Sequence, residues 1–246
     1  MLLAIDIGNT NVKTAIFYDK KIQEIKRFKN TINIENIVDS LIDINISYII
    51  ISSVVPEKTD QLTKLINKNF KIDPFIVSYD NIPGLKLNVE NPETVGADRI
   101  CNIIGGLSMF NSPMIIIDFG TATTYDVIDE NAVFKGGAIA PGVDISANYL
   151  YKKAALLRST TLKFPEYVIG KNTEANLQSG IMFGVLDSVQ GMIGRIKSEL
   201  ELNDINIILT GGFSEIISKN LLIKHEIIPE LTFKGILNIY NNLLNV

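Results

Sequence analysis

The 246-residue chain contains one cysteine, one histidine and no tryptophan. A single cysteine, Cys101, leaves no partner for an internal disulfide and is compatible with a reducing compartment. It lies in the apolar helical run "RICNIIGG", where a buried thiol is expected. The single histidine, His225, cannot build a histidine-based metal site alone. No Ser-His-Asp or Cys-His arrangement is visible, so chemistry must rest on carboxylates, Lys or Arg, backbone amides and metal ions. Positive charge is also scarce: 23 Lys and Arg stand against 27 Asp and Glu, a net charge of −4. No basic surface for nucleic acid or for an anionic membrane is expected. No apolar run approaches the roughly 18 residues of a membrane span, and "MLLAI" is too short for a secretory signal. A soluble, cytoplasmic protein is the expectation.

With 46% hydrophobic and 20% charged residues, the composition is that of a globular protein with ample core material. Its organisation is a repeat. "LLAIDIGNTNVKTAIF" (2–17) returns 112 positions later as "MIIIDFGTATTYDVID". Asp6 then falls on Asp118, Gly8 on Gly120 and Thr10 on Ala122.

The order of elements repeats as well. Strands are expected at 2–6, at 12–18 and in "KKIQEIKRF". A helix follows in "ENIVDSLIDI", with Ile37, Val38, Leu41 and Ile42 on one face. Then come the strand "YIIISSV", the helix "PEKTDQLTKLINKNF" opened by proline, and the strand "PFIVS". After residue 112, "MIIID", "TTYDVID" and "AVFKGGAIA" are three strands. A long helix near 175–200, the strand "INIILT", a helix near 214–222 and a last helix complete the chain. Segments 79–97 and 141–175 read as loop-rich insertions. Two α/β domains are expected, 1–112 and 113–246, each with a sheet mixing antiparallel and parallel pairs and flanked by helices.

A strand ending in Asp-x-Gly before a return strand is a tight hairpin whose tip exposes backbone N–H groups suited to phosphate. Asn9, Thr10, Thr121, Thr123 and Thr124 add small donors. An aspartate at the mouth suits a hard cation such as Mg²⁺. Two copies suggest two jaws on one polyphosphate. Each copy alone reads first as an ordinary Asp-Gly hairpin turn; two copies in register on matched domains favour the phosphate reading. Neither the G-x-x-x-x-G-K-[ST] nor the G-x-G-x-x-G loop is present, so a bound nucleotide would rely on these hairpins.

"DIGNTNVK", "DFGTATT" and "TGG" (210–212) resemble the two phosphate segments and the adenosine segment of the acetate kinase, sugar kinase, Hsp70 and actin superfamily. "NPETVGADRICN" (91–102), "GGAIAPGV" (136–143), "IGKNTEANLQSG" (169–180) and "PELTFKGIL" (229–237) narrow the resemblance to type III pantothenate kinase, over residues 3 to about 237. That resemblance implies duplicated ribonuclease-H-like (actin-like ATPase) domains and phosphorylation of pantothenate by ATP with Mg²⁺ and a monovalent cation, K⁺ or NH₄⁺, in a homodimer. ATP phosphates would lie between the Asp6–Lys13 and Asp118–Thr124 hairpins.

Carried over by motif, Asp6, Ile7, Gly8, Asn9, Thr10, Asn11, Val12 and Lys13 form the first ATP cradle, with Asp6 also orienting Mg²⁺. Thr121 is a second ATP contact, and Asp118 is the ligand of the monovalent cation. Asp98 is the general base, although read alone it fits a cap on the following helix. Gly96, Ala97, Asp98 and Arg99 bind the acceptor, the Arg99 guanidinium donating to the pantothenate carboxylate. Thr173 is a further substrate contact, though by itself a helix N-cap. Val89 stands where many relatives carry a tyrosine lining the substrate pocket. Glycines 180, 184, 191 and 194 in a helical run imply close packing, either inside the chain or at the dimer contact. A catalytically silent nucleotide-binding relative and a kinase of sugars or carboxylic acids remain as alternative readings.

Overall fold

Every position of the first strand, β1 (Leu2–Ile7), is buried, because both faces of its sheet are covered. Side chains alternate across a strand. Leu2 and Ala4 pack with Ile100, Cys101 and Ile236 on one face. Leu3, Ile5 and Ile7 pack with Ile37, Leu62 and Ile66 on the other. An unbroken apolar run is the consequence of this double burial. The computed structural model describes residues 1–244.

The first sheet holds β1, β2 (Asn11–Tyr18), β3 (Lys21–Lys29), β4 (Tyr48–Ser53) and β5 (Phe75–Ile76) in the order β3-β2-β1-β4-β5. The β1–β2 and β2–β3 pairs are antiparallel, whereas β1–β4 and β4–β5 are parallel. Helices α1 (Ile34–Asp39) and α2 (Pro56–Phe70) follow β3 and β4, and α3 (Ala97–Met109), after β5, covers the sheet face that carries Leu2 and Ala4. Proline opens α2, where its missing N–H costs nothing. The stop of α1 at Asp39 corrects one expectation. Leu41 is buried, but Ile42, expected on the same face, is exposed because the helix has already ended.

The second sheet repeats the scheme with β6 (Met114–Phe119), β7 (Ala122–Ile128), β8 (Phe134–Pro141), β9 (Asn206–Gly211) and β10 (Glu226–Ile227), in the order β10-β9-β6-β7-β8. Its helices are α4 (Val143–Lys153), α5 (Thr173–Glu199) and α6 (Ser214–Ser218). The segment 141–175, expected as loop, therefore contains a helix of eleven residues. Met182, Leu186, Val189 and Ile193 of α5 pack against Ile115, Ile117 and Phe119.

The chain forms two compact units: one is Met1–Phe110 with the segment from Glu230, the other is Asn111–Pro229. The last helix, α7 (Leu231–Leu244), thus belongs to the first unit and not to the second half of the sequence. Glycines make this possible. A Cβ on Gly235 would strike the carbonyl of Cys101, and one on Gly105 would lie 2.6 Å from the carbonyl of Leu231. Thr232 Oγ1 donates to Asn102 Oδ1 at 2.8 Å along the same seam. Amphipathic periodicity shows that α7 needs a partner, but it cannot say which.

Candidate functional site

Asp6 sits near the end of β1, paired with Lys13 across the hairpin and with Ser52 of the parallel neighbour β4. Its carboxylate is almost buried. Lys13 Nζ lies 3.8 Å from Oδ2, and Ser52 Oγ donates to Oδ1 at 3.5 Å. Ile7 and Val12, included in the ATP cradle by resemblance, turn their side chains into the core, so only their backbones face the hairpin mouth. Asn9 and Thr10 are exposed at its tip.

The turn is closed by Gly8 N–H donating to Asn11 O at 2.9 Å. In the second unit Gly120 N–H donates to Ala122 O at 3.0 Å, one residue sooner. The repeat therefore changes register inside the turn: Thr10 corresponds to Thr121, not to Ala122, and Lys13 corresponds to Thr124. Gly8 and Gly120 do not adopt the positive φ that hairpin glycines often supply. A Cβ would come to 3.3 Å from Asn11 O at Gly8 and 3.4 Å from Ala122 O at Gly120, a slight crowding in the first turn and ordinary contact in the second.

Asp118 pairs with Thr124 and Thr210. Gly211, in the "TGG" segment, has φ +85°, and a Cβ there would collide with Asp118 Oδ1. Glycine is required on both counts. Thr121 is exposed, and its carbonyl accepts from Gly142 N–H at 3.1 Å.

The "GADR" stretch forms the start of α3. Gly96 is the N-cap residue, and Asp98 lies within the first turn. Asp98 is thus not the cap; its Oδ1 accepts the N–H of Arg99 at 2.7 Å. A Cβ on Gly96 would stand 2.6 Å from that same oxygen, so the glycine makes room for the carboxylate. Burial raises the Asp98 carboxyl above the usual carboxylate range. The Arg99 N–H and guanidinium, the residue's own N–H and the Lys13 charge offset this only in part. Three residues further on, burial pushes the Cys101 thiol up, which keeps it protonated and inert.

A pocket of about 350 Å³ opens beside this turn, with Gly96 and Ala97 in its wall. Ser53, Val54, Ser78, Tyr79 and Glu93 complete most of the lining. Sequence reading missed these residues. Ser53 and Val54 lie at the carboxyl end of β4 and Ser78 and Tyr79 just after β5, where ligands of open α/β sheets gather, and that rule was the available signal. Val89 is half-buried in the preceding segment and does not line the pocket.

Thr173 opens α5 but does not cap it. Asn172 does, accepting the N–H of Ala175 at 2.8 Å. Thr173 is left exposed.

The donor set fits the cations that the resemblance implies. Among the described residues no cluster of three or more His, Cys, Asp and Glu gathers to hold a metal. Mg²⁺ commonly keeps only one or two carboxylates beside water and phosphate oxygens, and the Asp6 carboxylate, oriented by Ser52, is of that kind. At Asp118 the carboxylate is a hard oxygen donor suited to a monovalent cation, with the Gly211 backbone packed close against Oδ1. No helix among the described residues is long and apolar enough to cross a membrane.

Comparison with known proteins matches the fold and gives the family. The solved structure of a protein described as a Baf family transcriptional activator, from Campylobacter jejuni, superposes with a TM-score of 0.65 at 18% identity over 99% of this chain and all of that one. Component A of the (R)-2-hydroxyglutaryl-CoA dehydratase of Acidaminococcus fermentans gives 0.55 at 15% identity, over 97% and 96% of the two chains. At these identities they establish the fold, two actin-like halves. A type III pantothenate kinase of Sulfurihydrogenibium sp. (strain YO3AOP1) is 41% identical over 96% of this chain and 98% of its own length. A model of that family matches residues 2–195. The chain belongs to the type III pantothenate kinase family.

Proposed function

We propose that the protein transfers the γ-phosphoryl group of ATP to the primary hydroxyl of pantothenate, giving 4'-phosphopantothenate at the first step of coenzyme A synthesis. Family membership supports the reaction. The observation that carries the assignment of roles is the carboxylate of Asp98: it is half-buried against Gly96, beside the acceptor pocket, and within the field of Lys13.

Phosphoryl transfer has a loose transition state, so catalysis is chiefly positioning and charge neutralisation. Asp98 accepts the hydroxyl proton. That proton leaves late in such a transition state, so a carboxylate is a sufficient base. Arg99, next to it, pairs with the pantothenate carboxylate, and the pocket beside Gly96 and Ala97 takes the substrate's chain. Glu93 in the pocket wall disfavours a carboxylate there, which directs the acid end towards Arg99. Thr173 and Val89 remain assigned to the acceptor by motif.

The backbone from Asp6 to Lys13 and the Thr121 turn contact the ATP phosphates. Asp6 would hold Mg²⁺ and Asp118 would hold K⁺ or NH₄⁺, supplying positive charge against the phosphates. The protein acts as a homodimer in the cytoplasm. The exposed glycines 180, 184, 191 and 194 of α5 support the dimer, because a Cβ on each would meet open space. Close packing inside the chain, the alternative reading of these glycines, finds no neighbour for an added Cβ at these four positions.

The test is a phosphorylation assay with ATP and Mg²⁺, comparing pantothenate with sugars and acetate in K⁺ and in Na⁺ buffer. Product from pantothenate alone, and more of it in K⁺, is expected. Absence of phosphopantothenate in K⁺ would refute the proposal.

A further inference from the structure

The residue that follows β3 has no assigned part in the chemistry, yet it gathers three carbonyl groups of the first hairpin turn. Asn30 Nδ2 donates to Gly8 O at 2.9 Å and to Asn9 O at 3.0 Å, and Asn30 N–H donates to Thr10 O at 2.8 Å. Two carbonyls facing one side-chain terminus fix its identity as the NH₂ group, since an oxygen there would be repelled. Lys58 Nζ, from the first turn of α2, donates in turn to the carbonyl of Asn30.

The peptide bonds of this turn are trans. In a trans peptide the C=O of one residue and the N–H of the next point in opposite directions. Drawing the carbonyls of Gly8, Asn9 and Thr10 towards Asn30 therefore aims the N–H groups of Asn9, Thr10 and Asn11 away from it. Successive N–H groups turned to one side form an anion-binding concavity.

The second unit supplies an internal comparison. By register Asn30 corresponds to Gly142, the residue that follows β8. Gly142 N–H donates to Thr121 O at 3.1 Å, matching the Asn30 to Thr10 bond. A Cβ on Gly142, however, would collide with the carbonyls of Gly120 and Thr121. The shorter turn lies directly against the brace position and needs no side chain there. The longer first turn stands off from it, and the Asn30 amide fills the difference.

We propose that Asn30 is the positioning residue of the first phosphate turn, holding its carbonyls on one side so that its amides face the nucleotide. This rests on the reading of Asp6–Lys13 as an ATP cradle. The test is calorimetric titration of the full chain with ATP·Mg²⁺, comparing wild type with Asn30→Asp, Asn30→Ala and Lys13→Met. KM for each substrate and thermal midpoints are measured in parallel. Loss of both side-chain bonds is expected to weaken ATP binding about tenfold in Asn30→Ala, and further in Asn30→Asp, where charge faces two carbonyls. KM for ATP should rise accordingly while KM for pantothenate holds. If Lys13→Met weakens ATP binding and the Asn30 variants do not, Asn30 has no positioning role and the cradle reading survives. An Asn30 variant that melts earlier but binds ATP as wild type does likewise removes the positioning role. If no variant changes ATP affinity, the cradle reading falls and the proposal falls with it.

Discussion

Asp6 faces Lys13 across the first hairpin, with Nζ 3.8 Å from Oδ2, while its counterpart Asp118 faces Thr124. The duplicated halves have thus diverged at one position, from a point charge to a hydroxyl. A lysine beside an aspartate at a phosphate turn can balance both the carboxylate and a phosphate oxygen. Lys13→Met, which retains the stem, is therefore expected to raise KM for ATP by about tenfold or more with little change in KM for pantothenate, as steady-state kinetics would show. An equal rise in both constants would instead make Lys13 a general support of the unit.

The buried carboxyl of Asp98 gives a pH signature. Its pKa is raised by burial, so the base form is lost at a higher pH than for an ordinary carboxylate. The acid limb of kcat/KM should accordingly lie above the usual carboxylate range, and activity should rise with pH through it. The stability effect has the opposite sign. A carboxyl with a raised native pKa binds more protons folded than unfolded, so its contribution falls as pH rises through that value. Asp98→Asn should cut kcat by about 100-fold or more while leaving the thermal midpoint at pH 8 unchanged or higher. Near-normal turnover in that variant would leave Asp98 only its hydrogen bond to the Arg99 amide.

Much of this was legible because burial on both sheet faces writes continuous apolar strands, and because the two halves repeat the phrase. "YIIISS" and "MIIID" admit few other structures. The register inside the turns was not legible. A direct alignment at 112 positions places Thr10 on Ala122, and only the ladders show that the second turn is one residue shorter. Helix α4 was missed because "VDISANYLYKK" carries a weak amphipathic pattern and buries only Val143 and Ala147. The return of α7 to the first unit depends on Gly105 and Gly235 meeting backbone from distant sequence, which local periodicity does not encode. Asn30 carried no motif at all; its role lies in where β3 ends.

The α3–α7 seam offers a stability test. A side chain at 235 would displace the Cys101 carbonyl, which belongs to a helix and cannot yield cheaply. Gly235→Val is expected to destabilise by about 3 kcal/mol or more, the range of severe overpacking. Urea unfolding followed by circular dichroism would measure it. Because α7 packs on the α3 turn after Asp98, turnover should fall as well. Gly194→Ala provides the contrast, since its Cβ meets open space. Within a single chain it should stabilise the helix by up to about 1 kcal/mol, with any loss at the dimer contact read separately by light scattering.

The exposed face of α5 makes the last prediction. Residues 180, 184, 191 and 194 fall within a narrow arc at 3.6 residues per turn, and all four are exposed. Four glycines in one helix weaken it by roughly 1 kcal/mol each relative to alanine, and nothing in the described chain touches them in return. A second copy approaching backbone to backbone would use that bare surface. Light scattering should then give twice the mass of the 27.2 kDa chain. Gly184→Arg and Gly191→Arg should convert the protein to monomers that keep their helical circular dichroism, because a Cβ at either exposed position meets no atom of the described chain. A wild-type monomer, or dimers that survive both substitutions, would place the contact elsewhere and leave the glycines without a structural purpose.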